Sequence, residues 1–153
     1  MSELTNNGPC YNSYFDNVVD EKRRVQIPSN WRKGQNETEF MLVIWSTSAQ
    51  KDVCLLVLPP AAADKLRSRI TSMPFGDAQA EALRRALGRK SQMVTSDKAG
   101  RLTLPEHMAK AAGIEHKVVL VGMFDRFQIW NPERLTAVAE GDEALAQEAF
   151  KLI

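Results

Sequence analysis

One phrase occurs twice in this chain at a constant spacing of 77 residues, and that repeat limits the fold more than any other feature. Asp20-Glu21-Lys22-Arg23-Arg24-Val25-Gln26-Ile27-Pro28 lines up with Asp97-Lys98-Ala99-Gly100-Arg101-Leu102-Thr103-Leu104-Pro105. Both copies read Asp-x-x-x-Arg, then apolar-polar-apolar-Pro. A repeat of this period points to a molecule built from two similar halves, in which whatever the first Arg does is done twice. Such a pattern favours a surface that presents one chemical group several times over a single catalytic pocket.

Each half follows one plan. A strand runs into the Asp-x-x-x-Arg turn, and a short alternating strand leaves it (Val25-Gln26-Ile27; Leu102-Thr103-Leu104). Pro28 and Pro105 are expected at the first turn of short helices. Gly34 and Gly113 stand where a helix C-terminus wants a left-handed residue. Strand pairs follow, Phe40–Trp45 with Val53–Leu58 and Val118–Val121 with Phe127–Trp130, the second joined by a hairpin turn over 122–126. Pro59-Pro60 and Asn131-Pro132 then open amphipathic helices carrying Leu66 and Ile70, and Leu135 and Val138. A further helix is expected over Asp77–Leu87 and a last acidic one over 142–153. The expected organisation is a flexible extension over 1–13, a first half over 14–76, a linking helix over 77–93, a second half over 94–140 and a helical tail over 141–153. Neither half has enough apolar surface for its own core, so the two should interlock.

The 153 residues carry a net charge of only +1, but the charge is unevenly placed. Residues 20–33 hold five bases against two acids, whereas 132–153 hold five acids against two bases. One face could thus meet an anionic partner while another remains solvated; ordinary charged surface is the alternative. Cys10 and Cys54 lack a Cys-x-x-Cys context, which argues against a disulfide framework or thiolate metal site. The longest apolar runs are too short to span a bilayer and the N-terminus lacks the regions of a secretory signal, so a soluble intracellular protein is expected.

Asp97 is suited to accept hydrogen bonds from its own loop, and Gly100 to take a positive φ. Arg101 would then start a rigid strand with its guanidinium placed for phosphate oxygens or a guanine edge. An Asp–Arg pair that merely staples its turn is the other reading. In the first copy Arg23 stands where Gly100 stands, so either that turn differs in shape or its strain is tolerated. This difference leads to the hypothesis that the first turn is tuned for contact and the second for geometry. His107 and His116, with no neighbouring Cys, make a poor zinc set, and neither a nucleophile elbow nor a phosphate loop is present. Trp31, Trp45 and Trp130 read as core or subunit-contact residues. A non-enzymatic protein without cofactor or metal is the expectation.

The doubled Asp-x-x-x-Arg, together with Val119-Leu120-Val121-Gly122-Met123-Phe124-Asp125-Arg126-Phe127-Gln128-Ile129-Trp130 and Ser72-Met73-Pro74, closely resembles the bacterial MraZ proteins from about Tyr14 to Ala139. The resemblance implies an α+β, β-rich fold: a tandem pseudo-two-fold pair of AbrB-like swapped-hairpin elements sharing one interlocked, β-barrel-like core with peripheral helices. It also implies a transcriptional regulator, a repressor of SpoVT/AbrB type. Its target would be direct repeats in double-stranded DNA at the promoter of the division and cell-wall cluster, including its own gene. Carried over by position, the DNA-binding residues are Arg24 and Arg101, with Lys22, Arg23 and Lys98 beside them; Asp20, Asp97 and Gly100 shape the turns. A closed homo-oligomeric ring in the cytoplasm, associated with the nucleoid, belongs to the same expectation. An AbrB-like antitoxin or protein-interaction scaffold with little specific DNA binding is the competing class.

Overall fold

A computed structural model of the chain describes residues 9–47 and 50–153. Among the described residues eight strands and five helices succeed one another: β1 (Tyr14–Val18), β2 (Arg24–Gln26), α1 (Ser29–Arg32), β3 (Glu39–Thr47), β4 (Gln50–Leu58), α2 (Pro60–Thr71), α3 (Ala78–Lys90), β5 (Ser91–Thr95), β6 (Arg101–Thr103), α4 (Glu106–Ala111), β7 (Lys117–Gly122), β8 (Phe127–Trp130) and α5 (Pro132–Ala149). A 3-10 turn over Phe150–Leu152 follows. The protein is α+β, and its strands form one six-stranded antiparallel sheet, in the order β1-β7-β8-β4-β3-β5, and one two-stranded ribbon, β2-β6.

The strand pairing crosses between the repeats. β1 of the first repeat pairs with β7 of the second, and β5 of the second pairs with β3 of the first. In the ribbon Arg24 faces Thr103, Val25 faces Leu102 and Gln26 faces Arg101, so the two copies meet antiparallel about the Val25–Leu102 pair. The bonds at its ends match as well: Ile27 N–H donates to Gly100 O at 3.0 Å and Leu104 N–H to Arg23 O at 2.8 Å. The resemblance implied a β-barrel-like core, and the hydrogen bonding instead gives an open sheet. Its edge strands β1 and β5 each turn into the ribbon and touch it instead of pairing with one another.

Both faces of the central strands are covered. Leu42, Leu55, Leu120, Phe127 and Ile129 point to the main core, where they meet Val25, Leu102, Leu104 and Met108 from the ribbon and α4. Val43, Leu56 and Leu58 point the other way, onto Ala62, Ala63 and Leu66 of α2 and Leu87 of α3. That double covering is why Cys54 to Leu58 reads as an unbroken apolar run. Trp31 is the keystone of the main core: only 2% exposed, its ring lies 5.0 Å from Phe127, 5.2 Å from Phe15 and 5.6 Å from Tyr11. Trp130 is buried as expected, and Trp45 is half-buried against the second cluster.

Several local expectations change. Pro28 and Pro105 occupy the N-cap positions of α1 and α4, one residue before the first turn. Two helices expected after Asn131 are one, because Gly141 adopts ordinary helical geometry and α5 runs on to Ala149. The extension expected to be flexible over 1–13 is anchored at its end. Tyr11 is buried, exchanges two backbone hydrogen bonds with Phe124, and has its hydroxyl pKa pushed up to about 12 by burial. Gly122 makes that docking possible, since a Cβ there would come within 2.3 Å of the Tyr11 carbonyl oxygen. Residues 1–8 of the extension lie outside the described residues. β5 begins at Ser91, inside the stretch assigned to the linking helix.

Candidate nucleic-acid interface

The two motif turns are built alike, bond for bond. In the first, Asp20 Oδ1 accepts from the N–H groups of Lys22 and Arg24, both at 2.9 Å, and Oδ2 accepts from Arg24 Nε at 2.7 Å. In the second, Asp97 Oδ1 accepts from Ala99 at 3.0 Å and Arg101 at 2.8 Å, and Oδ2 accepts from Arg101 Nε at 2.9 Å. Each turn is closed by its own backbone, Arg23 N–H to Asp20 O and Gly100 N–H to Asp97 O, both 2.9 Å. The Asp therefore does what its residue type suits it for: one carboxylate oxygen collects the loop's donors and the other aims the arginine.

Stapling and presentation thus coexist. Only Nε of Arg24 and Arg101 is spent on the Asp; the terminal nitrogens make no hydrogen bond to a described residue. The side chains are partly exposed, 27% for Arg24 and 37% for Arg101. Since Val25 and Leu102 turn inward, Arg24, Gln26, Arg101 and Thr103 share the outer face of the ribbon. The two arginines are diagonal neighbours there, with backbones on the order of 7–8 Å apart. Lys22, Arg23 and Lys98 are exposed beside them.

The first turn has the shape of the second despite lacking glycine. Arg23 takes φ 62° where Gly100 takes φ 80°. The sequence left two possibilities open, and tolerated strain is the one realised, at a cost of about 1 kcal/mol. The second turn is also clamped from the first repeat: Gln26 Nε2 donates to Ala99 O at 2.8 Å and Asn36 Nδ2 to Lys98 O at 2.7 Å. Arg32 lies across Gly100, its Nε donating to Ile27 O at 2.9 Å. Gln26, Asn36 and Arg32 were not singled out from the sequence. Arg32 was visible only as one of the bases crowding residues 20–33.

Backbone N–H donation from Arg24 holds the Asp20 carboxyl below its ordinary 3.8, with the Arg24 side chain adding to the effect; Asp97 is lowered in the same way by Arg101. A depressed folded-state pKa contributes stability that is fully present above the unfolded value and is lost as pH falls through the folded one. Between neutral pH and about pH 5 the turns should therefore hold, loosening only below about pH 4. In an unfolding series from pH 7 to pH 3, Asp20→Asn/Asp97→Asn should be less stable than the parent at pH 7, with the gap narrowing in acid. A gap that stays constant down to pH 3 would contradict this.

No group of three or more His, Cys, Asp or Glu among the described residues could hold a metal ion. His107 and His116 are both exposed, on α4 and just ahead of β7. Among the described residues no helix is long and apolar enough to cross a membrane.

The fold and this surface define a class: an α+β protein whose two repeats exchange strands and together display a ribbon of carboxylate-aimed arginines. The family described as "MraZ protein, putative antitoxin-like" matches residues 89–151. The Transcriptional regulator MraZ of Caulobacter vibrioides (strain NA1000 / CB15N) is 35% identical over 138 residues, spanning 90% of this chain and 87% of that protein. The protein of the same name from Thioalkalivibrio sulfidiphilus (strain HL-EbGR7) is 34% identical over 131 residues, 85% of this chain and 84% of its own. That from Thermomicrobium roseum is 29% identical over 126 residues, 82% of this chain and 84% of its own. The chain belongs to the MraZ family.

Proposed function

We propose that this protein is a sequence-specific DNA-binding regulator of transcription, without enzymatic activity. It would act as a repressor at direct repeats in the promoter of the division and cell-wall gene cluster, its own gene included. The observation that carries the reading is the ribbon β2-β6, which holds Arg24 and Arg101 on one face with their Nε atoms fixed and their terminal nitrogens making no hydrogen bond to a described residue. A two-stranded ribbon fits the B-DNA major groove, about 12 Å wide, and a fixed guanidinium can engage phosphate oxygens or the O6/N7 edge of guanine. Lys22, Arg23 and Lys98 would add phosphate contacts, while Asp20, Asp97 and Gly100 keep the turns in shape. The names of the relatives support a role in transcription.

In this reading the crossed pairing of β1 with β7 and β5 with β3 is the mark of a tandem pair of AbrB-like swapped hairpins related by a pseudo-two-fold axis through the ribbon. One subunit makes few phosphate contacts and would bind weakly alone. A closed homo-oligomeric ring would present many such ribbons to successive repeats at high effective concentration. Sedimentation at the 17.2 kDa mass of one chain would rule the ring out. The working place is the nucleoid in the cytoplasm.

Binding of the protein to its own upstream DNA, measured beside a shuffled duplex of equal length, tests the reading. The native fragment should be preferred by at least about tenfold, since each well-read base pair discriminates by about 1–3 kcal/mol. Equal and weak binding to both would favour an AbrB-like antitoxin or scaffold with a protein partner.

A further inference from the structure

Among the differences between the repeats, one is made good from elsewhere in the chain. Arg23 and Gly100 are equivalent by the 77-residue spacing, as are Leu104 and Ile27. At the first turn Arg23 Nε donates to Leu104 O at 3.0 Å. At the second turn Gly100 has no side chain, yet Ile27 O still accepts a guanidinium hydrogen bond, from Arg32 Nε at 2.9 Å. Arg32 fills the space a side chain at position 100 would use: a Cβ there would lie 2.5 Å from its Cδ, 2.7 Å from Nε and 2.9 Å from Cζ. The exchange is not mutual, because Ala109, 77 residues after Arg32, is buried and carries no cation to the first turn.

We propose that Arg32 is a DNA-contacting residue, the second turn's counterpart of Arg23, so that each end of the ribbon offers two guanidiniums to phosphate. This rests on the DNA-binding reading above and deepens it. Arg32 reaches the turn from α1, with Nη1 donating to Asn36 Oδ1 at 2.9 Å and Nη2 making no hydrogen bond to a described residue. The ligand chemistry is the DNA backbone, for which a planar fork held at its Nε is suited. Gly100 is then glycine for two reasons, its φ of 80° and the arginine lying on it.

Relocating the arginine tests the inference. Binding to a labelled duplex of the protein's upstream DNA is followed across a salt series for the full chain, Arg32→Ala, Arg32→Ala/Gly100→Arg, and Arg23→Gly, each with its unfolding midpoint. Arg32→Ala should bind about tenfold more weakly, with a log–log salt slope reduced by about 0.9 per engaged subunit. Gly100→Arg in that background should recover most of the slope, because the new side chain enters the vacated space at a φ the first turn already accepts for Arg23. Arg23→Gly should lose slope as Arg32→Ala does, with a midpoint unchanged or raised, which a purely structural arginine would not give. A folded Arg32→Ala with the parent's slope, or a double variant that recovers none of it, would overturn the proposal. Arg24→Ala/Arg101→Ala serves as reference: should it too bind like the parent, the DNA-binding reading fails, and not this inference alone.

Discussion

Replacing Arg24 and Arg101 together by alanine is expected to weaken binding to the native upstream fragment by about 30-fold at least and about 20,000-fold at most. Each arginine placed bidentate on phosphate or guanine contributes about 1–3 kcal/mol, and every 1.4 kcal/mol is tenfold in affinity. The fold should hardly notice. Both side chains lie on the outer face of the ribbon, and exposed ion pairs of this kind stabilise by about 1 kcal/mol or less. A large loss of affinity with a small change in unfolding midpoint separates contact from scaffolding. The single variants then divide the roles of the turns. Arg24 stands beside Lys22 and Arg23 on a turn held mostly by its own bonds, whereas the turn of Arg101 is clamped by Gln26 and Asn36. Arg24→Ala should cost more affinity than Arg101→Ala; equal losses would end the idea that one turn is tuned for contact and the other for geometry.

Trp31→Ala should have the largest effect on stability, about 3–5 kcal/mol in urea unfolding. The ring is almost fully buried and touches Tyr11, Phe15 and Phe127, joining the N-terminal arm, β1 and β8 through one side chain. Its Nε1 also donates to Asn12 O at 3.0 Å, so the variant removes the arm's tether along with its packing partner. For a chain of this size that is a large share of the whole. A loss below about 1 kcal/mol would mean that the core is not organised around this residue.

Much of the fold was legible because the repeat and the alternation are local signals. Val25, Ile27, Leu102 and Leu104 alternate with polar neighbours, and all four are buried. The turn chemistry was legible too, since an Asp four residues before an Arg can reach both the loop's N–H groups and the guanidinium. Long-range pairing was not. Nothing in Tyr14–Val18 says that its partner is Lys117–Gly122 and not a strand of its own repeat, because an edge strand accepts any register that buries Phe15. Whether the β-barrel-like core closes is equally a long-range matter: it depends on whether β1 and β5 meet, and each is diverted into the ribbon. Tyr11 looked like part of a loose lead-in because its burial depends on Gly122, more than a hundred residues away. Arg32 was hidden in a basic run, where composition shows a charge but not the carbonyl it reaches.

That the ribbon arginines contact DNA is best tested by the salt dependence of binding to the native upstream duplex for the parent and for Arg24→Ala/Arg101→Ala, each at five or so salt concentrations. A steep log–log line is expected for the parent and a shallower one for the variant, the slopes differing by about 0.9 for each phosphate that the variant no longer neutralises. A variant line that coincides with the parent's would contradict it; a parallel, lowered line would put both arginines on guanine edges instead of phosphate.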